Sequence, residues 1–317
     1  MLESVRIENF RCLKLVKVPL RPLTVLIGPN DSGKSVFLEA VSHFANRQGF
    51  APSDHWEFNP SNQITLRGRV RGDDIQMQGT AGGSPGFKGD EQLFASIAPA
   101  TVFQLPSTGV QMECSGFGEV EENNLLLSST GDNVAALFDF FLRKDRGRFL
   151  AIITQLRALI PGFQDLNVTT PSPAQRRVDL VIENGLPIPA SSASVGVRLI
   201  LFFVALAWHP QPPKTILIEE PENGVHPKRL GDVMELLDNI TQGKHGNHAA
   251  QVILSTHSPY LLDYVDAARH QVLVFRRNDD GSRTAEPLDQ ERLKSFLDEF
   301  TPGEIWMNEG ETGLVGR

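Results

Sequence analysis

Two periods of apolar and polar residues alternate along this chain and divide it into stretches. Ser4 to Asn9 alternates strictly, with Val5 and Ile7 apolar, and predicts a half-buried strand. Phe10-Arg11-Cys12-Leu13 follows, then a second extended run to Leu20. After Pro22, Leu23-Thr24-Val25-Leu26-Ile27 is a short apolar run with β-branched residues, the pattern of a buried strand. The period then changes. Val36, Phe37, Ala40, Val41 and Phe44 recur at helical spacing, and that helix is predicted to end near Asn46 to Gly49. Residues 50–62, with Pro52, Asn59, Pro60 and Ser61, read as a loop. Gln63 to Val70 alternates again, and Ile75 with Met77 suggests a strand opposite it. Residues 79–90 are rich in Gly, Ser and Pro and predict a mobile loop. Thr101 to Leu105 and Val110 to Cys114 predict two more strands, so this whole stretch reads as an antiparallel β patch.

Helical spacing returns at Val134, Leu137, Phe138, Phe141 and Leu142, with Asp132 or Asn133 as cap. It returns again at Phe149, Ile152, Ile153, Leu156, Leu159 and Ile160, stopped by Pro161-Gly162. Neither pattern runs on as heptads, which argues against a long coiled-coil arm, and no internal repeat is visible. Arg177 to Glu183 predicts a strand, Asn184-Gly185 a hairpin turn, and Leu186 to Ile188 the returning strand. The last third alternates helices and strands. Ser194-Val195-Gly196 opens an apolar helix through Leu199, Phe202, Phe203, Leu206 and Ala207. Thr215 to Ile218 is a buried strand ending in Glu219-Glu220-Pro221-Glu222, followed by a helix from about Pro227 through Leu236 and Leu237. Gln251 to Leu254 is another, ending in Ser255-Thr256-His257-Ser258-Pro259, where Ser258 reads as an N-cap and Pro259 as the first helical residue. Gln271 to Phe275 predicts a further strand. A polar turn at Asn278 to Gly281, a strand, a short helix over Glu291 to Phe296 and a Gly-rich tail complete the chain.

Bulk properties narrow the class. The 317 residues suffice for one large or two modest domains. The longest apolar run, Leu199 to Trp208, is ten residues, too short to span a bilayer. Met1 to Arg6 carries an acid early and lacks the apolar core of a signal peptide. Cys12 and Cys114 show no metal-ligand spacing, which argues against a disulfide framework and a zinc site. A cytoplasmic protein is expected. The net charge of −8 gives no global support for nucleic-acid binding. The local basic clusters, Arg67, Arg69 and Arg71 and then Arg143, Lys144, Arg146 and Arg148, read as solvated faces.

Against that background one stretch carries specific chemistry. Gly28-Pro29-Asn30-Asp31-Ser32-Gly33-Lys34-Ser35 is a complete G-x-x-x-x-G-K-S phosphate-binding loop, set between a predicted buried strand and a predicted helix that starts near Val36. Backbone N–H groups of such a turn converge on one spot, and the helix dipole favours an anion there. Gly28 and Gly33 permit the backbone approach that phosphate oxygens need. Lys34 would reach the β- and γ-phosphates, and the Ser35 hydroxyl would ligate Mg²⁺.

Two strand ends in the last third supply the remaining groups. Polar residues just past the carboxyl ends of parallel strands sit where open α/β sheets bind ligands. Phosphoryl transfer needs a carboxylate near the metal and a group that orients or deprotonates the attacking water. Glu219 and Glu220 can divide those tasks, Glu219 toward the metal's water shell and Glu220 toward the water. His257 could donate a hydrogen bond to the γ-phosphate from the next strand end.

These elements in this order resemble the ABC-type ATPases, and within them the soluble RecF/SMC/OLD-like branch with its short AAA-family ATPases. The features are the phosphate loop, then Ser-x-Gly before an apolar helix, then Glu-Glu-Pro-Glu-Asn-Gly-Val-His-Pro, then Leu-Ser-Thr-His-Ser-Pro. Ile7-Glu8-Asn9-Phe10-Arg11 resembles that branch's first strand. The resemblance covers about residues 1–50 and 190–275. It implies an α/β fold with a mixed β-sheet core and an inserted β patch and helical subdomain. The implied organisation is one ATPase domain over residues 1–317: a Walker A lobe (1–60), the insertion (61–190), a lobe with signature, Walker B and switch histidine (191–275), and an extension (276–317).

Carried over by position, Gly28 to Ser35 with Val36 match Walker A, Ile216 to Glu219 match Walker B, Glu220 the catalytic glutamate, and His257 the switch histidine. Ser194 and Gly196 match the signature, which contacts the γ-phosphate held by the opposite subunit, and Asn223 to Pro227 fall where the D-loop lies. Arg11 stands where this branch often has a nucleotide-contacting arginine, and Gln104 is a Q-loop candidate that also reads as an ordinary surface glutamine. The implied cofactors are ATP and Mg²⁺, and the implied partner is a second copy in an ATP-dependent homodimer. Two departures stand out. Glu219 replaces the usual aspartate, one methylene longer, and Ser191 to Arg198 keeps only the Ser-x-Gly core of Leu-Ser-Gly-Gly-Gln. No acidic TOPRIM-like stretch follows, so a nuclease, if involved, is expected on a separate chain.

Two functions from different classes fit: an ATPase whose dimer cycle drives a partner protein or DNA, and a nucleotide-gated interaction module with negligible turnover. Glu220 favours the first, because hydrolysis needs a carboxylate there. A membrane-transporter motor, a kinase and a GTPase each leave part of the pattern unexplained.

Overall fold

The computed structural model describes residues 1–115, 126–172, 175–183, 185–246, 248–266, 268–288 and 301–315. In chain order the strands are β1 (Leu2–Phe10), β2 (Leu13–Pro19), β3 (Leu23–Ile27), β4 (Ile64–Val70), β5 (Asp73–Gly79), β6 (Gly86–Lys88), β7 (Ala100–Gln104), β8 (Glu113–Ser115), β9 (Phe163–Thr169), β10 (Gln175–Ile182), β11 (Pro187–Pro189), β12 (Thr215–Glu219), β13 (Gln251–Thr256), β14 (Gln271–Arg277) and β15 (Arg283–Pro287). The helices are α1 (Lys34–Asn46), α2 (Glu91–Ala95), α3 (Val134–Lys144), α4 (Arg146–Leu159), α5 (Val195–Ala207), α6 (Leu230–Gln242), α7 (Pro259–Leu262) and α8 (Pro302–Val315). They fall into two compact units, one of Met1–Val102, Pro213–Pro221 and Ala250–Arg317, the other of Phe103–Pro212 and Glu222–Ala249.

The first unit holds two sheets. The six-stranded one has the order β15-β14-β3-β13-β12-β7, with β14, β3, β13 and β12 parallel and β15 antiparallel at its edge. Every residue of β3 and β13 is buried, as expected for parallel strands covered on both faces. The five-stranded sheet, β2-β1-β4-β5-β6, is antiparallel throughout. Its central strands alternate buried and exposed, so one face joins the core and Arg67 and Arg69 lie on the solvated one. Phe37, Leu38, Val41 and Phe44 of α1 share one core with Ile7, Leu66 and Ile75 of that sheet and with Leu26, Leu217 and Ile253 of the parallel one. The fit is close at Gly68, where a Cβ would fall 2.5 Å from Phe44 Cε1 and 2.6 Å from Leu2 Cδ2.

In the second unit β10 pairs antiparallel with β9, β8 and β11, and α3 to α6 accompany them. Leu199 to Ala207 of α5 is buried on every side, which a helix that is apolar all round requires. Arg198 donates to the carbonyls of Thr108 and Val110, fixing the helix's first turn.

Several sequence expectations need correction. The antiparallel patch does not extend past β6: Thr101 to Leu105 becomes β7, at the edge of the six-stranded sheet, and Val110 to Cys114 supplies β8, paired with β10 in the second unit. The stretch 79–90 is not wholly a loop, because β6 within it pairs with β5. The 50–62 loop contains two 3₁₀ turns, Pro52–Asp54 and Trp56–Phe58. α2 and β9 went unpredicted. Asn133 precedes α3, but its side-chain oxygen accepts from Ser128 N at 2.9 Å instead of capping the helix. Ser258 precedes Pro259 as expected but makes no side-chain cap bond. Asn184 and the helix expected at Glu291 to Phe296 lie outside the described residues.

His43 on α1 stacks on Phe50 and meets the edge of Phe10, at centroid distances of 6.1 and 5.4 Å. Burial, first of all, holds its pKa below the ordinary 6.5, with Asp54 pulling the other way. The unfolded chain therefore takes up more protons at this position, so stability is lost as pH falls from 6.5 toward the lowered value. His43→Phe is expected to flatten the decline in stability as pH falls below about 6.5, read by urea unfolding at stepped pH. An unchanged slope would remove His43 from the acid response.

Candidate functional site

β3 ends at Ile27 and α1 begins at Lys34, so Gly28 to Gly33 form the turn between them. The turn is closely fitted. A Cβ on Gly28 would lie 2.5 Å from the Phe275 carbonyl oxygen and 2.8 Å from Ser32 Oγ, which leaves no room for a side chain. Gly33 takes φ +96° as the residue before α1, and Asp31 takes φ +61°. Lys34 is buried, and its Nζ donates to the carbonyls of Gly28 at 2.7 Å and Pro29 at 2.9 Å. Those bonds hold the ammonium across the mouth of the loop. Ser32 Oγ is buried with no hydrogen-bond partner among the described residues.

The register of the parallel sheet brings the other predicted groups to the same edge. Thr256 of β13 lies beside Ile27 of β3, and Glu219 of β12 lies beside Ser255 of β13. The carboxyl ends of β3, β13 and β12 are therefore neighbours. A cavity of about 250 Å³ lies there, lined by Asn30 to Val36, Cys12, Glu220 and His257. Glu220 is held at φ +46°, an unfavourable backbone for a non-glycine residue, while its N–H donates to the Ser255 carbonyl at 3.0 Å. Its Oε1 lies 2.9 Å from His257 Nε2, each side chain about a third exposed.

The donors fit a divalent ion shared with a nucleotide. Glu219 Oε1 is buried at the end of β12 without a hydrogen-bond partner among the described residues, and Ser35 lines the cavity. Among the described residues no group of three or more His, Cys, Asp or Glu forms a metal cage. An ion held by Glu219 and Ser35 would complete its shell with phosphate oxygens and water, as Mg²⁺ prefers.

Arg11 does not line this cavity. Its backbone N–H donates to the Asp54 carbonyl at 2.6 Å, its Nε to Asp54 Oδ1 at 2.9 Å, and its Nη1 pairs with Glu39 of α1. Ser194 and Gly196 stand at the start of α5 in the second unit. There Ser194 Oγ accepts from Val197 N at 3.3 Å, and a Cβ on Gly196 would lie 3.1 Å from the Gly224 carbonyl of the Asn223–Pro227 stretch. Gln104 ends β7 with its N–H bonded to the Ser129 carbonyl at 2.9 Å. Sequence reasoning missed Cys12 in the cavity wall and Arg283, which bonds Asp31 from 252 residues away. Neither belongs to a motif, and only strand pairing brings them to the loop.

Comparison with known proteins gives the same picture. Residues 113–263 match the family described as "AAA domain, putative AbiEii toxin, Type IV TA system", and residues 1–80 match "AAA ATPase domain". The chain is 22% identical over 355 residues to the OLD nuclease of Thermus scotoductus, covering 94% of this chain and 66% of that protein. It is 34% identical over 71 residues to the Old nuclease of Escherichia phage P2, covering 22% of this chain and 12% of that protein. The chain thus spans less than two thirds of the length of these relatives. Its fold is that of SMC heads. The SmcHead crystallised with the C-winged helix domain of ScpA superposes with TM-score 0.61 at 13% identity, over 93% of this chain and 99% of that one. The SMC head domain from Thermotoga maritima gives 0.53 at 13% identity, over 91% and 99%. Among the described residues no helix is long and apolar enough to cross a membrane. Family matches, relatives, fold and the geometry around Lys34 and Glu220 agree: the chain is similar to AAA-type ATPases of the RecF/SMC/OLD-like branch and has the ABC-type P-loop fold of SMC heads.

Proposed function

We propose that this protein binds ATP with Mg²⁺, dimerises around two nucleotides, hydrolyses them and couples that cycle to a partner protein or to DNA. The observation that carries the reading is Glu220, a carboxylate on a strained backbone beside His257, in a cavity whose facing wall is the phosphate loop.

On this reading, the N–H groups of Gly33 to Val36 and the start of α1 receive the phosphates. Lys34 exchanges the carbonyls of Gly28 and Pro29 for β- and γ-phosphate oxygens, so its positive charge is already beside the position the phosphates take. Ser35 and Glu219 would hold Mg²⁺, which would supply positive charge to offset that of the phosphates. Glu220 orients the attacking water and accepts its proton. His257 holds the Glu220 carboxylate and can turn its Nε2–H toward the γ-phosphate.

Ser194 and Gly196, at the N-terminus of a 13-residue helix, suit contact with a nucleotide bound by a second copy. Two of the solved SMC heads that share this fold are bound to domains of ScpA, which supports a protein partner. The OLD nuclease relatives support a nuclease effector, supplied by another chain or segment.

Two substitutions test the assignment. Lys34→Ala is expected to abolish ATP binding in a fluorescence titration with a labelled nucleotide, and tight binding by that variant would overturn the P-loop assignment. Glu220→Gln is expected to bind ATP while losing about 10²–10⁴-fold in kcat, the usual contribution of a general base. Phosphate release at the native rate would take Glu220 out of that role.

A further inference from the structure

The phosphate loop contains a carboxylate of its own. Asp31 is 72% exposed at the cavity, four residues after Ile27, on a left-handed backbone. A negative charge there opposes the polyphosphate that the surrounding N–H groups and Lys34 favour. Two arginines from the β14–β15 hairpin meet it. Arg283, with only 7% of its side chain exposed, donates through Nε to the Asp31 carbonyl at 2.6 Å and through Nη2 to Asp31 Oδ2 at 2.8 Å. Its Nη1 donates to the Gly281 carbonyl, so each of its three nitrogens makes a hydrogen bond. Arg277 Nη1 lies 3.5 Å from the same Oδ2.

The hairpin is fixed against the loop by backbone as well. Arg277 and Arg283 are cross-strand partners, β14 runs parallel to β3 with Val274 beside Ile27, and Arg283 N donates to the Cys12 carbonyl at 3.1 Å. A Cβ on Gly33 would lie 3.1 Å from Arg283 Cγ, so the arginine stem also packs under the glycine that starts α1.

We propose that Arg283 is a positioning residue of the phosphate loop. Its pair with Asp31 sets nucleotide affinity by neutralising the loop's carboxylate, drawing it toward the hairpin, and fixing the backbone turn at Asp31. This rests on the nucleotide-binding reading above. It adds a residue outside every motif, and a route by which anything that shifts the C-terminal hairpin changes affinity for ATP.

A double-mutant cycle on the full chain tests it, with binding of a fluorescent ATP analogue in Mg²⁺ as the probe and thermal unfolding without nucleotide as a parallel measurement. Arg283→Met leaves Asp31 with only the longer, more exposed contact to Arg277 and is expected to weaken binding about 10- to 100-fold, the scale of a lost charge-assisted, partly buried pair. Arg283→Gln, which keeps hydrogen-bond donors but no charge, is measured beside it and should show the same direction, so the test stands if the methionine variant does not fold. Adding Asp31→Asn to either variant, which removes the charge and keeps the left-handed turn, is expected to recover most of the lost affinity. A merely structural role for Arg283 predicts no such recovery. Native affinity in both Arg283 variants, or no recovery on adding Asp31→Asn, would overturn the proposal. If the wild-type chain itself binds no nucleotide, the nucleotide-binding reading fails, and this proposal fails with it.

Discussion

The parallel pairing of β3, β13 and β12 is the constraint on which the site depends. A one-residue slip in either pairing would turn every side chain of a strand to the other face. Thr256 would no longer lie beside Ile27, nor Glu219 beside Ser255. Close packing on both faces holds that register, because Val25, Leu217 and Ile253 are fully buried and a slip would set differently shaped side chains against the elements on either side. The chemistry then follows from where each strand stops. β3 stops at a glycine turn that admits no side chain at Gly28, β12 at two glutamates, and β13 at the residue before His257.

Strain and satisfaction divide at this edge of the sheet. Glu220 has a backbone that few non-glycine residues adopt, stabilised by its own N–H bond to the Ser255 carbonyl. Ser32 Oγ and Glu219 Oε1 are buried without partners among the described residues, a cost a folded protein bears mainly where a ligand can use the atoms. By contrast Arg11 and Arg283 link neighbouring elements: Arg11 ties the 50–62 loop to α1 through Asp54 and Glu39, and Arg283 ties the β14–β15 hairpin to the phosphate loop through Asp31.

What could be read from the sequence was local. The strand–glycine–helix unit at Leu23 to Phe44, the start of α5 at Ser194 to Gly196 and the polar ends of β12 and β13 each announce themselves within about two dozen residues, through periodicity and the residues that interrupt it. What could not be read was pairing. Thr101 to Leu105 looks the same whether it extends an antiparallel patch or edges a parallel sheet, and only its neighbour β12 decides. β9 alternates weakly, with Gln164, Asp165 and Asn167 outnumbering its buried residues, and is a strand because β10 lies beside it. Arg283 follows a polar turn and carries no motif, so its contact with Asp31 was invisible until the strand order brought β15 to the loop.

The most direct test of the central claim is the solution mass of the Glu220→Gln protein by light scattering, with and without ATP and Mg²⁺. A carboxylate that serves hydrolysis, removed from a chain that dimerises around ATP, leaves the nucleotide-bound dimer with no route to separate, so the mass should double on adding ATP. A mass that stays at the nucleotide-free value while ATP is demonstrably bound would contradict the ATP-driven dimer.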